Sequence, residues 1–357
     1  MTTFTASEIK TKIREFPRAN LIHLPTPFQR MENLEKDLGG LELYFKRDDL
    51  TGLAFGGNKS RKLEFIISDV QAKGADVIIT WASVQSNWCL QTAAAARKFG
   101  ITPILILFKT YELPDEFDGN LLLDYILNAD IRIREAEYGR VVDRADVDEV
   151  LEEVVMEVKE WGHTPYVAPI GGSLVGGSMD KPLGAIGYVN AYAEMMEQVE
   201  ERGFLPDFVV HATGSGGTQA GLVFGAKSMS PKTKVLGVSV SEEKETFSKD
   251  VLSIAKDTEK AFDIDLSINE DDVIVFDEYL EEGYGVVTES VSEVIRIAAM
   301  KEGVFLDPVY TGKAMVALVD LVKKGYIPND AKVVFFHTGG TAALFPNKTK
   351  LTSFLKP

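Results

Sequence analysis

Lys59 stands in the run Phe55-Gly56-Gly57-Asn58-Lys59-Ser60-Arg61-Lys62-Leu63-Glu64-Phe65, a glycine-rich turn leading straight into a helical pattern. Far downstream, Thr213-Gly214-Ser215-Gly216-Gly217-Thr218 lies between an apolar, β-type run and another helical pattern. A primary amine condenses with an aldehyde to give a Schiff base. Successive small residues ahead of a helix let backbone N–H groups converge on a phosphate, which the helix N-terminus also favours. Each feature alone is commonplace: the chain has 38 basic residues, and tight turns use glycine anyway. The downstream loop has neither dinucleotide spacing nor a Walker lysine. Taken together, the amine and the cradle suit an aldehyde that carries a phosphate, pyridoxal 5′-phosphate (PLP), with the protein supplying orientation and proton transfer.

Other loops are of the same kind. Val84-Gln85-Ser86-Asn87 sits at a strand-to-helix junction. Ser86 and Asn87 suit helix capping, and the same helix start suits a substrate carboxylate; the two roles are compatible. Asp307-Pro308-Val309-Tyr310-Thr311-Gly312-Lys313-Ala314 places a tyrosine and a threonine just before a helical run. Tyr284 lies in Gly283-Tyr284-Gly285, and His337-Thr338-Gly339-Gly340 ends a strand in a glycine turn. One such loop says little. Five of them beside α/β elements form a pattern.

The elements that must position these loops alternate between apolar runs and helical patterns. Residues 76–80, 102–108, 207–212, 234–240 and 332–337 read as buried strands, and 91–99 and 219–227 as helices. That alternation predicts parallel α/β sheets, whose ligands bind at the carboxyl ends of strands. Two charged segments, 146–159 and 194–202, read as solvated outer helices. Glycine, proline and serine concentrate over 162–177, which suits a domain boundary.

With 357 residues, 45% of them hydrophobic, the chain is long enough for two packed domains. A net charge of −16 opposes nucleic-acid binding, which rests on cationic neutralisation of phosphates. No apolar run is long enough to span a membrane. Met1 to Glu8 lacks the basic and apolar regions of a signal peptide, and Cys89, the single cysteine, cannot form an intrachain disulfide; both suit the cytoplasm. Four scattered histidines give no metal-ligand spacing, so no metal is expected.

The motifs, in order, are Leu24-Pro25-Thr26-Pro27, Lys46-Arg47-Asp48-Asp49, Gly57-Asn58-Lys59-Ser60-Arg61-Lys62, Gln85-Ser86-Asn87, Gly171-Gly172-Ser173, Pro182-Leu183-Gly184-Ala185, Gly214-Ser215-Gly216-Gly217-Thr218, the run from Asp307 to Ala314, and His337-Thr338-Gly339-Gly340. Over about residues 20–345 the chain resembles the D-cysteine desulfhydrase / 1-aminocyclopropane-1-carboxylate deaminase family of fold-type-II PLP enzymes. The resemblance implies two open parallel-sheet α/β domains, tryptophan synthase β-like, with PLP in the cleft between them. Residues 1–51 and 167–357 would form the large, PLP-binding domain and 52–166 the small one. The assembly would be a homodimer acting on a small amino acid. By the same resemblance Lys59 carries the cofactor as a Schiff base, next to Asn58. Asn87 contacts the cofactor's O3′. Ser215, Gly216, Gly217 and Thr218 hold the phosphate, and Thr213, Gly214 and Thr338 also touch the cofactor. Gln85 and Ser86 bind the substrate carboxylate, with Asn87 and Trp88 beside them. Tyr284 and Tyr310 face the substrate, and Thr311 lies near the pyridine nitrogen.

The deaminase branch of the family has glutamate where this chain has Thr311. A neutral threonine favours an unprotonated pyridine and a weaker electron sink, which suffices for β-elimination. The expected reaction is therefore loss of a β-substituent with release of pyruvate and ammonia, D-cysteine being the first candidate substrate. L-cysteate sulfo-lyase and 1-aminocyclopropane-1-carboxylate deaminase activities are the alternatives within the family. A dinucleotide-dependent oxidoreductase would need the missing Gly-x-Gly-x-x-Gly spacing; a non-catalytic small-molecule binder would not need Lys59. Two departures from the family pattern bear on the substrate. Trp88-Cys89-Leu90 replaces a short polar or small pair followed by arginine, and residues 174–181 form an insert after Gly171-Gly172-Ser173. A plain loop extension is the expectation for the insert.

Overall fold

The computed structural model describes residues 3–110, 117–136, 145–280 and 283–355, and all structural statements concern these residues. The strands are β1 (Phe28–Arg30), β2 (Glu42–Lys46), β3 (Val77–Ser83), β4 (Thr102–Lys109), β5 (Asp130–Glu135), β6 (Pro165–Val167), β7 (Phe208–Thr213), β8 (Lys234–Ser239), β9 (Ile274–Phe276) and β10 (Lys332–Phe336). The helices are α1 (Ala6–Ile13), α2 (Glu32–Asp37), α3 (Asn58–Ala72), α4 (Asn87–Lys98), α5 (Gly119–Ile126), α6 (Ala145–Glu160), α7 (Leu183–Glu200), α8 (Gly217–Met229), α9 (Lys244–Phe262), α10 (Glu289–Glu302), α11 (Thr311–Lys323) and α12 (Lys348–Leu355).

Two sheets result. One has the order β1-β2-β10-β7-β8-β9 and is parallel except for β1 against β2. The other, β5-β4-β3-β6, is parallel throughout. β3 is buried along its whole length and β4 along most of it, which is why both read as unbroken apolar runs. β5 is an edge strand, and its Arg132 and Arg134 suit that place. β6 crosses residues 166 and 167, where the sequence put the domain boundary.

α7 corrects one expectation. Residues 194–202 were expected on a solvated outer helix, yet α7 is buried over most of its length and packs against both α3 and α8. A side chain at Gly187 would meet the carbonyl of Arg61 at 2.8 Å, so the missing Cβ lets α7 lie directly on the helix that begins at Asn58. Glu194 is buried in an ion network. Its Oε1 accepts from Arg61 Nη2 at 2.9 Å and from the ammonium of Lys46. Arg61 also donates to both oxygens of Asp48, at 2.7 and 2.8 Å, and Tyr188 Oη donates to Asp48 Oδ2 at 2.9 Å. Burial alone would raise the Glu194 carboxyl, but Arg61 and Lys46 pull it down to about 2. The acidic segment 146–159 falls in α6, whose Val147, Leu151, Val154 and Val158 pack against the four-stranded sheet.

Candidate active site

One cavity opens where the carboxyl end of β3, at Ala82 and Ser83, meets the carboxyl end of β7, at Ala212 and Thr213. It lies between the two sheets, as ligand sites of open α/β sheets do. Lys59 reaches it from the first turn of α3. The preceding turn is locked: Gly57 N donates to Thr51 Oγ1 at 2.8 Å and to Asp48 O at 2.9 Å, and Asn58 N donates to Thr338 O at 2.9 Å. Gly57 has φ +128°, and a Cβ there would come within 2.9 Å of Thr338 O. Only glycine lets the turn lie against the loop after β10. Lys59 thereby shares the cavity wall with Thr338 and Gly339. Desolvation holds its ammonium down to about 8.

Thr213, Gly214, Ser215, Gly216 and Thr218 line the same cavity, at the start of α8. Gly216 has φ +77°, and a side chain there would strike Ile254 at 2.9 Å. The 171–173 turn packs under this loop: Ser173 Oγ pairs with Ser215 Oγ at 2.9 Å and accepts from Gly217 N at 3.1 Å. Gly217 is thus turned into that contact and is not part of the cavity wall. The insert after Ser173 folds on β6, where Ser178 N donates to Val167 O and Val167 N donates to Ser178 Oγ, both at 2.9 Å, while its Leu174 and Gly177 line an adjoining cavity that shares Ile170, Gly214, Ser215 and Ser241 with the first.

The residues present fit a phosphate-bearing aldehyde. Lys62, one turn after Lys59, is fully buried, and its ammonium has no hydrogen-bond partner. The ammonium lies 5.9 Å from the centre of the Tyr188 ring. Burial first, and Lys59 second, push it well below the ordinary lysine range. Thr213 Oγ1 is likewise buried and unpaired. A fully buried amine one turn from Lys59 is thus left without a hydrogen-bond partner.

Ser86 caps α4, its Oγ accepting from Trp88 N at 3.1 Å and Cys89 N at 3.2 Å. Ser86, Asn87 and Trp88 all reach the cavity. Trp88 is held from behind, donating from Nε1 to Thr80 Oγ1 at 2.6 Å. Tyr284 and Tyr310 face each other across the cavity wall, hydroxyl to hydroxyl at 2.6 Å, and burial raises the Tyr284 phenol. Cys89 is buried, and burial first, then Asp124, push its thiol well up, so it is no nucleophile.

Besides Gly217, two expected site residues stand elsewhere. Gln85 is not in the cavity wall: its Nε2 donates to Asp118 O at 3.0 Å and its Oε1 accepts from Asn120 N at 2.8 Å. Thr311 is fully buried, donating to Asp307 Oδ1 at 2.6 Å and accepting from Asp307 N at 2.8 Å. Asp307 also accepts from the N–H groups of Val309, Tyr310 and Thr311, so this pair builds the start of α11. The neutral hydroxyl that does line the cavity from the β10 side is that of Thr338. Ser83, Ile170 and Ser241 also line it and were missed. Ser83 and Ser241 follow strand carboxyl ends, a position that could have flagged them. No carboxylate is in the wall, and no group of three or more His, Cys, Asp or Glu suited to a metal ion occurs among the described residues.

The sequence matches the profile of the pyridoxal-phosphate dependent enzyme family over residues 19–339. A Pyrococcus furiosus protein provisionally named 1-aminocyclopropane-1-carboxylate deaminase is 40% identical over 98% of this chain and 99% of its own. D-cysteine desulfhydrase of Serratia proteamaculans is 37% identical over 94% of this chain and 98% of its own. Among solved structures, an ACC deaminase homologue superposes with a TM-score of 0.86 at 36% identity, covering 97% of this chain and 98% of that one. A threonine deaminase from Solanum lycopersicum, 16% identical with a TM-score of 0.62, covers 99% of this chain and 90% of its own and shares the fold-type-II architecture alone. Site, sequence and fold agree: the chain belongs to the pyridoxal-phosphate dependent enzymes, in the branch that holds D-cysteine desulfhydrases and 1-aminocyclopropane-1-carboxylate deaminases.

Proposed function

We propose that this enzyme removes the β-substituent of a small β-substituted amino acid, D-cysteine first among them, and releases it with pyruvate and ammonia. The observation that carries this reading is the cavity wall itself: Lys59, a hydrogen-bonded tyrosine pair, and no carboxylate among the described residues. PLP, held by Lys59 with Ser215, Gly216 and Thr218 taking its phosphate, would supply the electron sink for charge developing at Cα. Once the substrate's amine has displaced it from the cofactor, Lys59, its ammonium held down to about 8, is a base near neutral pH and takes the proton from Cα. Burial keeps the Tyr284 phenol protonated, and the hydrogen-bonded pair it forms with Tyr310 presents one hydroxyl proton to the departing β-substituent. The Ser86 hydroxyl and the start of α4 hold the substrate carboxylate. Asn87 donates to an anionic cofactor oxygen.

The electronic argument made for Thr311 passes to the cavity as a whole. Thr338 and Ser241 are neutral, and no described residue of the wall carries a carboxylate that would keep a pyridine nitrogen protonated. A sink of that strength serves elimination of a good leaving group and serves poorly for opening an unactivated three-membered ring. The relatives provisionally named as deaminases favour ring opening as the second reading. L-cysteate fits less well, because Lys59 is the one cation in the wall among the described residues and is committed elsewhere. The test is a panel of D-cysteine, L-cysteine, β-chloro-D-alanine, L-cysteate and aminocyclopropane carboxylate, read as keto acid. Pyruvate from D-cysteine and chloroalanine is expected. Keto acid from the cyclopropane alone would overturn the proposal in favour of deamination.

A further inference from the structure

The loop 85–87 is gripped by one residue outside the cavity. Asn120, fully buried at the start of α5, donates from Nδ2 to Gln85 O at 2.8 Å and to Asn87 Oδ1 at 2.9 Å. Its backbone N donates to Gln85 Oε1 at 2.8 Å, and Gln85 Nε2 donates to Asp118 O at 3.0 Å. Asp118 in turn pairs with Lys348 at 2.8 Å, at the start of α12.

The chemistry of these partners leaves the amides no second arrangement. An amide side chain presents a donor end and an acceptor end, and which faces where is read from its neighbours. Gln85 O and Asp118 O are backbone carbonyls and only accept. Gln85 must therefore turn Nε2 toward Asp118, leaving Oε1 for the Asn120 N–H. Asn120 must turn Nδ2 toward Gln85 O. That same NH2 group reaches Asn87, so Asn87 must turn Oδ1 toward Asn120. Its own NH2 is left for the cavity, which Asn87 lines.

We propose that Asn120 is a positioning residue that fixes Asn87 with its N–H donors facing the cavity, making Asn87 selective for an anionic oxygen such as the cofactor's phenolate. The inference rests on the proposed reading in which Asn87 donates to that oxygen. Asn120→Asp makes it specific: a carboxylate at 120 has no donor, so Asn87 must turn its NH2 outward to it and its carbonyl inward.

A donor on the phenolate lowers the proton affinity of the phenolate and the lysine nitrogen it shares a proton with. The experiment is a pH titration of the visible absorbance of PLP-loaded protein. Asn87→Ala and Asn120→Asp should each raise the midpoint by about one pH unit. The double variant Asn87→Ala/Asn120→Asp should match Asn87→Ala alone, an equality that a merely structural role for Asn120 would not produce. Asn120→Ala and Asn120→Ser give the same reading should the aspartate variant not fold. A midpoint that moves for Asn87→Ala but not for the 120 variants overturns the inference and leaves the cofactor contact of Asn87 standing. A further shift in the double variant also overturns it. A midpoint unmoved by Asn87→Ala removes the reading on which it rests, and the inference with it.

Discussion

Desolvation at Lys59 sets when the amine becomes reactive. With its ammonium at about 8 rather than the usual 10.5, the free amine appears as pH rises through 8. Attachment of PLP to apoprotein, followed by absorbance, should therefore accelerate between about pH 7 and 9 and level off above. A rate still climbing steeply past pH 10 would place the amine in a solvated setting. Lys59→Ala should retain the fold, lose borohydride-trapped cofactor, and lower turnover by at least about a thousandfold, as removal of a covalent catalyst does. Trp88 can be probed separately from the cofactor. Trp88→Phe keeps the ring but loses the bond to Thr80 Oγ1, and should cost about 1–2 kcal/mol in urea unfolding. Its effect on function should fall on relative kcat/KM among substrates rather than on PLP affinity.

At the scale of elements, the glycine cradle and the ion network make opposite demands. Gly216 has φ +77°, a conformation that costs a non-glycine residue about 1–2 kcal/mol before any clash with Ile254. Gly216→Ala should weaken PLP binding to apoprotein by about tenfold or more, and an unchanged Kd would place the phosphate elsewhere. In the network, breaking one partner leaves the others buried and unpaired. Glu194→Gln should cost about 3–5 kcal/mol at pH 7 by denaturant unfolding. Glu194 is depressed to about 2 in the folded protein against an ordinary 4.5. Its stabilising contribution is thus complete above pH 4.5 and lost as pH falls toward 2. The gap between wild type and variant should close over that window. These two features also mark what was legible in the chain. The strands within β3, β4, β7, β8 and β10 and the glycine loops were readable because their signals are local: apolar runs, turns, helix starts. Glu194 was misread because Lys46 and Arg61 lie 148 and 133 residues away in sequence. Thr311 and Gln85 were misplaced for a related reason. Their neighbours Tyr310 and Ser86 do face the cavity, and one step along a turn reverses which way a side chain points.

At the scale of the molecule, the cavity draws walls from both sheets, so an occupant stabilises their mutual arrangement. Stripping PLP with hydroxylamine should lower the apparent unfolding free energy. Readdition at a hundredfold excess over Kd should restore about 2.7 kcal/mol, seen as a rise in Tm. Equal Tm with and without cofactor would mean that binding does not bridge the sheets. No helix among the described residues is long and apolar enough to cross a membrane. The order of strands carries a consequence for synthesis on the ribosome. The four-stranded sheet comes from one continuous stretch, residues 77–167, and can assemble as soon as that stretch emerges. The six-stranded sheet cannot. β10 inserts between β2 and β7, pairing Lys332 with Glu42 and Val333 with Phe208. Until it arrives, β2 and β7 each present an unpaired edge, β2 for roughly the quarter of a minute or longer that some 290 residues take to translate and β7 for a little under half as long. Nascent chains stalled before residue 332 should accordingly be protease-resistant at β3, β4, β5 and β6 while β2 and β7 stay open to chaperones, until a single late strand zips the larger sheet shut.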